Sequence, residues 1–247
     1  MIKQRQSVSW IDWTKQLLGG TTIVLLSVLT GKVWAIEYRL PTAPVKVRPE
    51  AGSNGVSYGC PATIKPPVLL MPQGHVGETI QPHPVFFAFL PGQATVQFLV
   101  IEPGVSNTVY AENIQTQKDG VVRLTVPSSA PALKPGKTYW WYVSVLCDPK
   151  YGRDRSYLQG WVRRVNHTPQ LMKELEQATV ADRPAIYARN GLWFDALRAI
   201  ADEQRRQPQS HLWKKAWADF LKAGGLEPLN LATEAAAGSQ SSKRGER

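Results

Sequence analysis

The chain has 247 residues, a length that accommodates one or two domains with a buried core. Its 29 Lys and Arg residues exceed its 19 Asp and Glu residues, and the net charge of +10 favours acidic partners or anionic surfaces. The basic residues are spread along the chain and, with the export signal described next, they argue against a nucleic-acid partner.

Residues 1–35 have the pattern of a secretory signal peptide. A basic segment precedes a short apolar core at 17–29, and the small residues Val33 and Ala35 occupy the −3 and −1 positions of a cleavage site. This core is shorter than the ~20 apolar residues of a transmembrane helix. We therefore predict cleavage after Ala35, a periplasmic or secreted protein, and no stable membrane insertion after cleavage. The alternative is an uncleaved anchor.

The next segments predict a lead-in followed by a β-domain. Residues 36–57 are rich in Pro, Gly and Ser without periodicity, which predicts a flexible lead-in. Between 58 and 166 the pattern is β, because 94–101 and 121–126 alternate apolar and polar residues, whereas 85–90 is apolar on both faces. Turn signals with Pro and Gly separate these runs. About six or seven short strands at this spacing predict an antiparallel immunoglobulin- or fibronectin-like β-sandwich.

Beyond the β region the apolar period becomes helical. Thr168 and Pro169 are typical of a helix start, with Thr as N-cap and Pro at the first helical position. Further amphipathic segments follow, and "YARNGLWFDALRAI" (187–200) resembles the centre of a tetratricopeptide repeat. A solenoid needs about three stacked repeats, so we predict a small tetratricopeptide-like helical cap over 167–230. The polar residues 231–247 predict a disordered tail, and the fold class is α+β.

The two cysteines, Cys60 and Cys147, have two interpretations. In an exported protein the default is a disulfide, which would add about 4–5 kcal/mol in the chain-entropy model. The rival is a catalytic cysteine paired with a histidine. Neither cysteine lies in a C-x-x-C motif or near a histidine in sequence, so the disulfide is favoured.

No complete catalytic or metal-binding motif is present. The histidines lie far apart, without H-x-H or H-E-x-x-H spacing, so we predict no metal and no cofactor. They are His75, His83, His167 and His211. The sequence has no G-x-S-x-G or P-loop motif, and Ser156 lacks a hydrolase signature. We expect a protein that is not an enzyme, with an unrecognised hydrolase as the alternative because triads are set by geometry.

The stretch "YWWYVSVLCDPKYGRDRSYLQGWVRR" (139–164) contains the candidate binding residues. Trp140 and Tyr142 fall on the strand face opposite Cys147. They are either a platform that stacks sugars or peptide side chains, or a surface that the helices cover with Trp193, Trp213 or Trp217. The strong amphipathicity of the helices favours the covered surface.

The loop that follows this strand is the second candidate. It carries Arg153, Asp154 and Arg155 ahead of Trp161, and arginine binds carboxylate or phosphate in a bidentate manner. The loop is therefore a candidate contact for an anionic ligand or a partner. In the favoured alternative, Asp–Arg pairs hold the loop against the neighbouring strand and the remaining arginines are solvated.

Several segments together carry a family resemblance: "HPVFFAFLP", "GKTYWWYVSVLCDP", "DRS", "GWVRRV" and "NGLWFDAL". In this order they resemble the cyanobacterial family called domain of unknown function 928, over about Tyr58 to Leu229. The resemblance implies an exported protein with cysteines matching Cys60 and Cys147, often encoded beside adhesin-like or protease-like partners with tetratricopeptide repeats. The family has no established activity, so no catalytic residue is implied.

One departure from the family pattern bears on the loop. Residues 150–153 separate its Cys-Asp-Pro and Asp-Arg-Ser elements. An insertion of this kind would disturb a geometrically strict active site, and a structural corner or an adaptable surface tolerates it better. We therefore expect a non-enzymatic envelope module that binds a protein partner in an exported assembly. The alternative is a glycan-binding module that stacks sugars on Trp140, Trp161 or Trp193.

Overall fold

Two β-sheets and four helices make up the described part of the molecule, so the predicted α+β content is confirmed. A computed structural model of the chain describes residues 36–41, 56–58, 67–90, 92–104, 108–146 and 155–226. All of these residues lie within one unit, Val33–Arg247. The strands in chain order are β1 (Val56–Tyr58), β2 (Val68–Leu69), β3 (Gly77–Thr79), β4 (Val85–Leu90), β5 (Gln93–Ile101), β6 (Thr108–Gln117), β7 (Gly120–Thr125), β8 (Thr138–Leu146) and β9 (Arg155–Arg164). The helices are α1 (Pro169–Gln177), α2 (Arg183–Arg189), α3 (Trp193–Arg206) and α4 (His211–Ala223).

The larger sheet has the strand order β1-β9-β8-β5-β6, and β3 also pairs with β9. Strand β1 lies antiparallel beside the start of β9, whereas β3 lies parallel beside its end, where Glu78 is opposite Arg163. The smaller sheet has the order β2-β4-β7 with antiparallel pairs. The chain passes from the larger to the smaller sheet through the short turn between β6 and β7, so consecutive strands lie in different layers.

The apolar alternation in the sequence marks the strand faces that meet between the sheets. In β5 the three predicted inward residues, Val96, Phe98 and Val100, are fully buried. Strand β4 is buried on both faces, as its apolar sequence predicts for the middle strand of a covered sheet. The Phe86 ring stacks on Trp141 of β8 with ring centroids 4.7 Å apart, so the two sheets pack face to face through aromatic side chains.

Local capping signals set the starts of α1 and α4. The Thr168 side chain accepts a hydrogen bond from the Leu171 N–H at 3.1 Å, which confirms the predicted N-cap. Ser210 caps α4 in the same way, through the Trp213 N–H. Between α2 and α3, Gly191 has φ +76°, a backbone conformation that side chains other than glycine rarely adopt. The starts of α1 and α4 and the turn between α2 and α3 therefore follow from short-range chemistry.

Part of the expected flexible lead-in belongs to the core. Tyr38 is buried, with its ring edge-on to Trp193 at 4.9 Å and to Phe220 at 5.7 Å between centroids. The backbone N–H of Arg39 donates to the Ala188 carbonyl at 3.1 Å. Farther along, Val56–Tyr58 forms β1. The sequence did not indicate this, because a single aromatic residue among Pro and Gly has no periodicity to reveal a buried face.

Several predictions fall on residues outside the described ranges. These are the leader 1–35, Cys60, Cys147, and the tail 231–247. In the part of the chain that is described, no helix is both long enough and apolar enough to cross a membrane.

Candidate functional site

An aromatic surface lies on the outer face of the larger sheet. Trp140 and Tyr142 project from β8, and Tyr157 and Trp161 from β9; we call these four residues the aromatic face. Trp140 pairs directly with Trp161 across the strands, and their rings meet edge-on with centroids 5.3 Å apart. Tyr142 lies 6.4 Å from Trp140 and 6.4 Å from Tyr157. All four side chains are half-buried, so each ring supports its neighbours while part of it remains exposed.

Side chains alternate between the two faces of a strand, so the residues next to the aromatic face in sequence point into the core. Trp141, next to Trp140 in sequence, is fully buried and stacks on Phe86. Its indole crosses β9 at Gly160, where an added Cβ would overlap the ring. Consecutive tryptophans therefore serve opposite sides of the sheet, as the alternation in the sequence predicts.

Amide side chains and apolar residues both adjoin the aromatic face, because Leu99 and Ile101 of β5 are the partners of Tyr142 and Trp140. Gln159 is the cross-strand partner of Tyr142 on β9. On β5, Gln97 is opposite Ser144, two positions along β8 from Tyr142. Asn113 of β6 is opposite Gln97 and is exposed. Stacking surfaces flanked by amide donors and acceptors suit a ligand or a partner with both apolar and hydrogen-bonding groups.

The helices do not provide the cover that their amphipathicity led us to expect. Trp193 of α3 stacks on Phe220 at 4.4 Å, and its Nε1 donates to the Leu70 carbonyl at 2.9 Å. Trp217 of α4 meets Phe87 of β4 edge-on at 5.5 Å. The expectation that these tryptophans pack on Trp140 and Tyr142 is wrong, because α3 packs against β3 and β4 and α4 against β4. An ion pair between Arg123 of β7 and Asp202 of α3, at 2.6 Å, holds them there.

The surroundings of Tyr142 favour its neutral form. Burial raises the pKa of the Tyr142 hydroxyl above its ordinary value, and the nearby Tyr157 raises it further. The Trp140 Nε1 is buried and has no hydrogen-bond partner among the described residues.

The arginines at the end of β9 have structural roles. Arg163 forms an ion pair with Glu78 of the neighbouring strand β3, in which its Nε lies 2.9 Å from Oε1. Arg164 donates to the carbonyl oxygens of Leu133 and Ile80, joining β9 to two loops. They therefore secure the edge of the sheet. Of the loop residues predicted to bind an anion, Arg153 and Asp154 lie outside the described ranges; the backbone of Arg155 pairs with Leu146.

The histidines do not converge. The Nε2 of His83 lies 3.0 Å from the Ala130 carbonyl oxygen, which suits a structural role, and His167 and His211 are exposed. Over the described ranges, no group of three or more His, Cys, Asp or Glu residues could hold a metal ion.

Asp195 is one of the buried acids that the sequence pattern did not reveal. Asp195 lies in the first turn of α3 between the buried residues Phe194 and Ala196, and it is only 3% exposed. A charged residue inside the apolar segment "LWFDAL" is the signal that was available, since buried carboxylates require partners. Asp195 also lines a polar cleft beside α2 and α3.

Comparison with known proteins identifies the family. No curated protein matches the chain. A family model described as Domain of Unknown Function (DUF928) matches residues 49–236, a range that contains every strand and helix of the two sheets and the cap. Tyr38, which completes the core from the lead-in, precedes the matched range. From this match over most of its length, the chain belongs to the DUF928 family.

Proposed function

We propose that this protein is an exported, non-enzymatic binding module that engages a protein partner through the aromatic face. The observation that carries the proposal is the position of Trp140 and Tyr142 on the outer side of the larger sheet, while the helix tryptophans Trp193 and Trp217 pack elsewhere. Tyrosine and tryptophan are enriched in protein interfaces, where partly exposed rings become buried.

The extent of the surface favours a macromolecular partner. Arg155 and Trp161 lie six positions apart on β9, a distance of roughly 20 Å at the rise of an extended strand. A partner that contacts both the aromatic rings and the basic loop before β9 must span that length. An interface of about 800 Å² per partner has this dimension, whereas a single sugar does not.

The scaffold for this surface is, in our proposal, an immunoglobulin-like sandwich with a tetratricopeptide-like cap, braced by a Cys60–Cys147 disulfide. Strand register supports the bridge, because Tyr58 and Leu146 both pair with Arg155 from opposite sides of β9. Neighbouring strands are about 4.8 Å apart, so Tyr58 of β1 and Leu146 of β8 lie roughly 10 Å apart on the two sides of β9. These two residues come just before the cysteines in sequence. One or two further residues on each side can close that gap.

Glycan binding is the second candidate. It is favoured by the amides of Gln97, Gln159 and Asn113 beside the rings, since sugars present both stacking faces and hydroxyl groups. Under this proposal Trp140 and Trp161 stack on sugars and the amides bind hydroxyls.

Affinity capture from envelope extract of the source cells tests the two candidates. The immobilised chain is compared with Trp140→Ala and Trp161→Ala, and with Leu212→Ala, which removes an exposed apolar side chain from α4. We expect a small set of proteins on the wild type and on Leu212→Ala, and their loss from both tryptophan variants. Tryptophan-dependent retention of polysaccharide without protein supports the second candidate, and identical retention by all four chains refutes a role for the aromatic face.

A further inference from the structure

A polar cleft of about 280 Å³ lies between α2, α3 and the residues that follow β3. None of the residues that line the cleft belongs to the aromatic face. The charged residues that line it are Arg183, Asp195, Arg198, Asp202 and Arg206. Pockets for drug-sized molecules occupy about 300–1,000 Å³, so this cleft suits a smaller and more polar ligand.

Two of these charged residues are already engaged within the protein. Asp202 is held by Arg123 at 2.6 Å between Nη1 and Oδ1. Arg206 forms an ion pair with the buried Glu203, one helical turn away. Their charges are therefore largely compensated by the fold.

Two arginines retain binding capacity. Arg198 approaches Asp202 only at 3.6 Å, and its side chain is 41% exposed. Arg183 has no ion pair among the described residues, and its Nε is buried without a hydrogen-bond partner. Since a guanidinium group binds a carboxylate in a bidentate manner, these two side chains are suited to hold an anionic group.

Asp195 adds a buried carboxylate to the same cleft. Its Oδ2 accepts a hydrogen bond from the Ile80 N–H at 3.2 Å, and its Oδ1 is buried without a hydrogen bond of its own among the described residues. Burial raises the pKa of this carboxyl to about 6, and hydrogen bonding to the side chains of Thr79 and Gln81 and to the Ile80 N–H limits the rise. Burial and the charge of Asp195 also raise the pKa of Tyr187, while Arg183 and Arg198 lower it. The Tyr187 hydroxyl is thus within electrostatic reach of all three charged groups.

We propose that this cleft binds a small zwitterion of the amino-acid type, with its carboxylate on Arg183 and Arg198 and its ammonium group on Asp195. A simple anion would bind the arginines but would be repelled by the ionised Asp195. A simple cation would bind Asp195 but would be repelled by the arginines. Because a buried polar group without a partner is destabilising, a ligand that binds both the arginines and Asp195 binds more tightly than either simple ion. Val180 and Ala199 in the lining leave room for a small apolar side chain.

Nuclear magnetic resonance of the full chain with ¹⁵N-labelled arginine tests this inference. The Nε–H signal of Arg183 is followed while L-alanine, acetate or methylammonium is added. We expect a saturable shift with L-alanine at a concentration at least tenfold below that required with acetate or methylammonium. An equal response to acetate would identify an anion site and overturn the proposal, as would the absence of a saturable response to L-alanine.

Variants separate the two halves of the site. Asp195→Asn keeps an oxygen acceptor for the Ile80 N–H but removes the charge, so L-alanine binding, measured by calorimetry, should weaken at least tenfold while acetate binding does not weaken. Arg183→Ala should weaken the binding of both compounds. Arg189→Ala is the control, because Arg189 lies on the same helix but pairs with Glu174 outside this cleft. Unchanged L-alanine binding in either cleft variant overturns the proposal, and Arg183→Ala decides alone if thermal melting shows that Asp195→Asn is unfolded.

Discussion

Replacing each of the two adjacent tryptophans of β8 by alanine separates the core from the aromatic face. Trp141 is fully buried, stacks on Phe86 at 4.7 Å and meets Phe194 edge-on at 6.2 Å. It thereby joins both sheets to α3. Trp140 projects to the other side of the sheet, where it contacts Tyr142 and Trp161.

The expected effects on stability differ severalfold. Truncation of a fully buried tryptophan to alanine costs about 3–5 kcal/mol. For a domain of about 150–250 residues each kcal/mol lowers the melting temperature by about 2–4 °C, so Trp141→Ala should lose about 6–20 °C. Trp140 is half-buried, and its truncation should cost about 1 kcal/mol, or about 2–4 °C.

Thermal and urea unfolding of the two variants provide the measurement, with affinity capture below both melting temperatures as the second readout. Trp140→Ala should lose the partner and stay folded, whereas Trp141→Ala should retain the partner while it is folded. Equal losses of melting temperature in the two variants would refute the reasoning, because they would mean that both rings are buried to the same extent in the folded protein.

Three further changes test other contacts. Gly160→Ala places a Cβ against the Trp141 indole, so it should cost about 1–3 kcal/mol of unfolding free energy, and less in a Trp141→Phe background. Equal costs in the two backgrounds, measured by urea unfolding, contradict the steric explanation. Arg163→Met leaves the Glu78 carboxylate without its ion pair and should cost about 1–2 kcal/mol, part of which Glu78→Met restores in the double variant. The absence of any recovery argues against coupling of this pair. Because burial raises the pKa of Asp195 to about 6, above about 3.9 for an unfolded Asp, the folded state binds the proton more tightly. The wild type should therefore gain stability relative to Asp195→Asn as pH falls from 7 to 4, and parallel pH profiles of the two proteins would exclude this.

Features that depend on short stretches of chain were predictable. The N-cap of α1 at Thr168 requires only the hydroxyl and the amides of the next turn. The alternation in β5 separates Val96 and Phe98 from Gln97 without reference to any other strand. Local hydrogen bonding and side-chain period determine these features, so they are present in the sequence itself.

The aromatic face was predictable only in part. The alternation of β8 places Trp140 opposite Trp141, but it does not state which element covers either side. An apolar helix face must be buried, and the sequence does not specify the surface that buries it. Phe87 and Arg123 of the smaller sheet and Gly77 of β3 provide that surface, and for this reason the expectation of covered aromatic residues was wrong.

The sequence by itself determined the β-then-α order of the chain, the buried side of its main strands and the caps of two helices, because each depends on residues within a turn or two of one another. Tertiary structure alone decided that Tyr38 enters the core, that β3 runs parallel to β9, and that Asp195 meets Ile80 across 115 positions of chain. Such contacts depend on which distant surfaces are complementary in shape and polarity, and a periodic pattern in one segment contains no information about its partner.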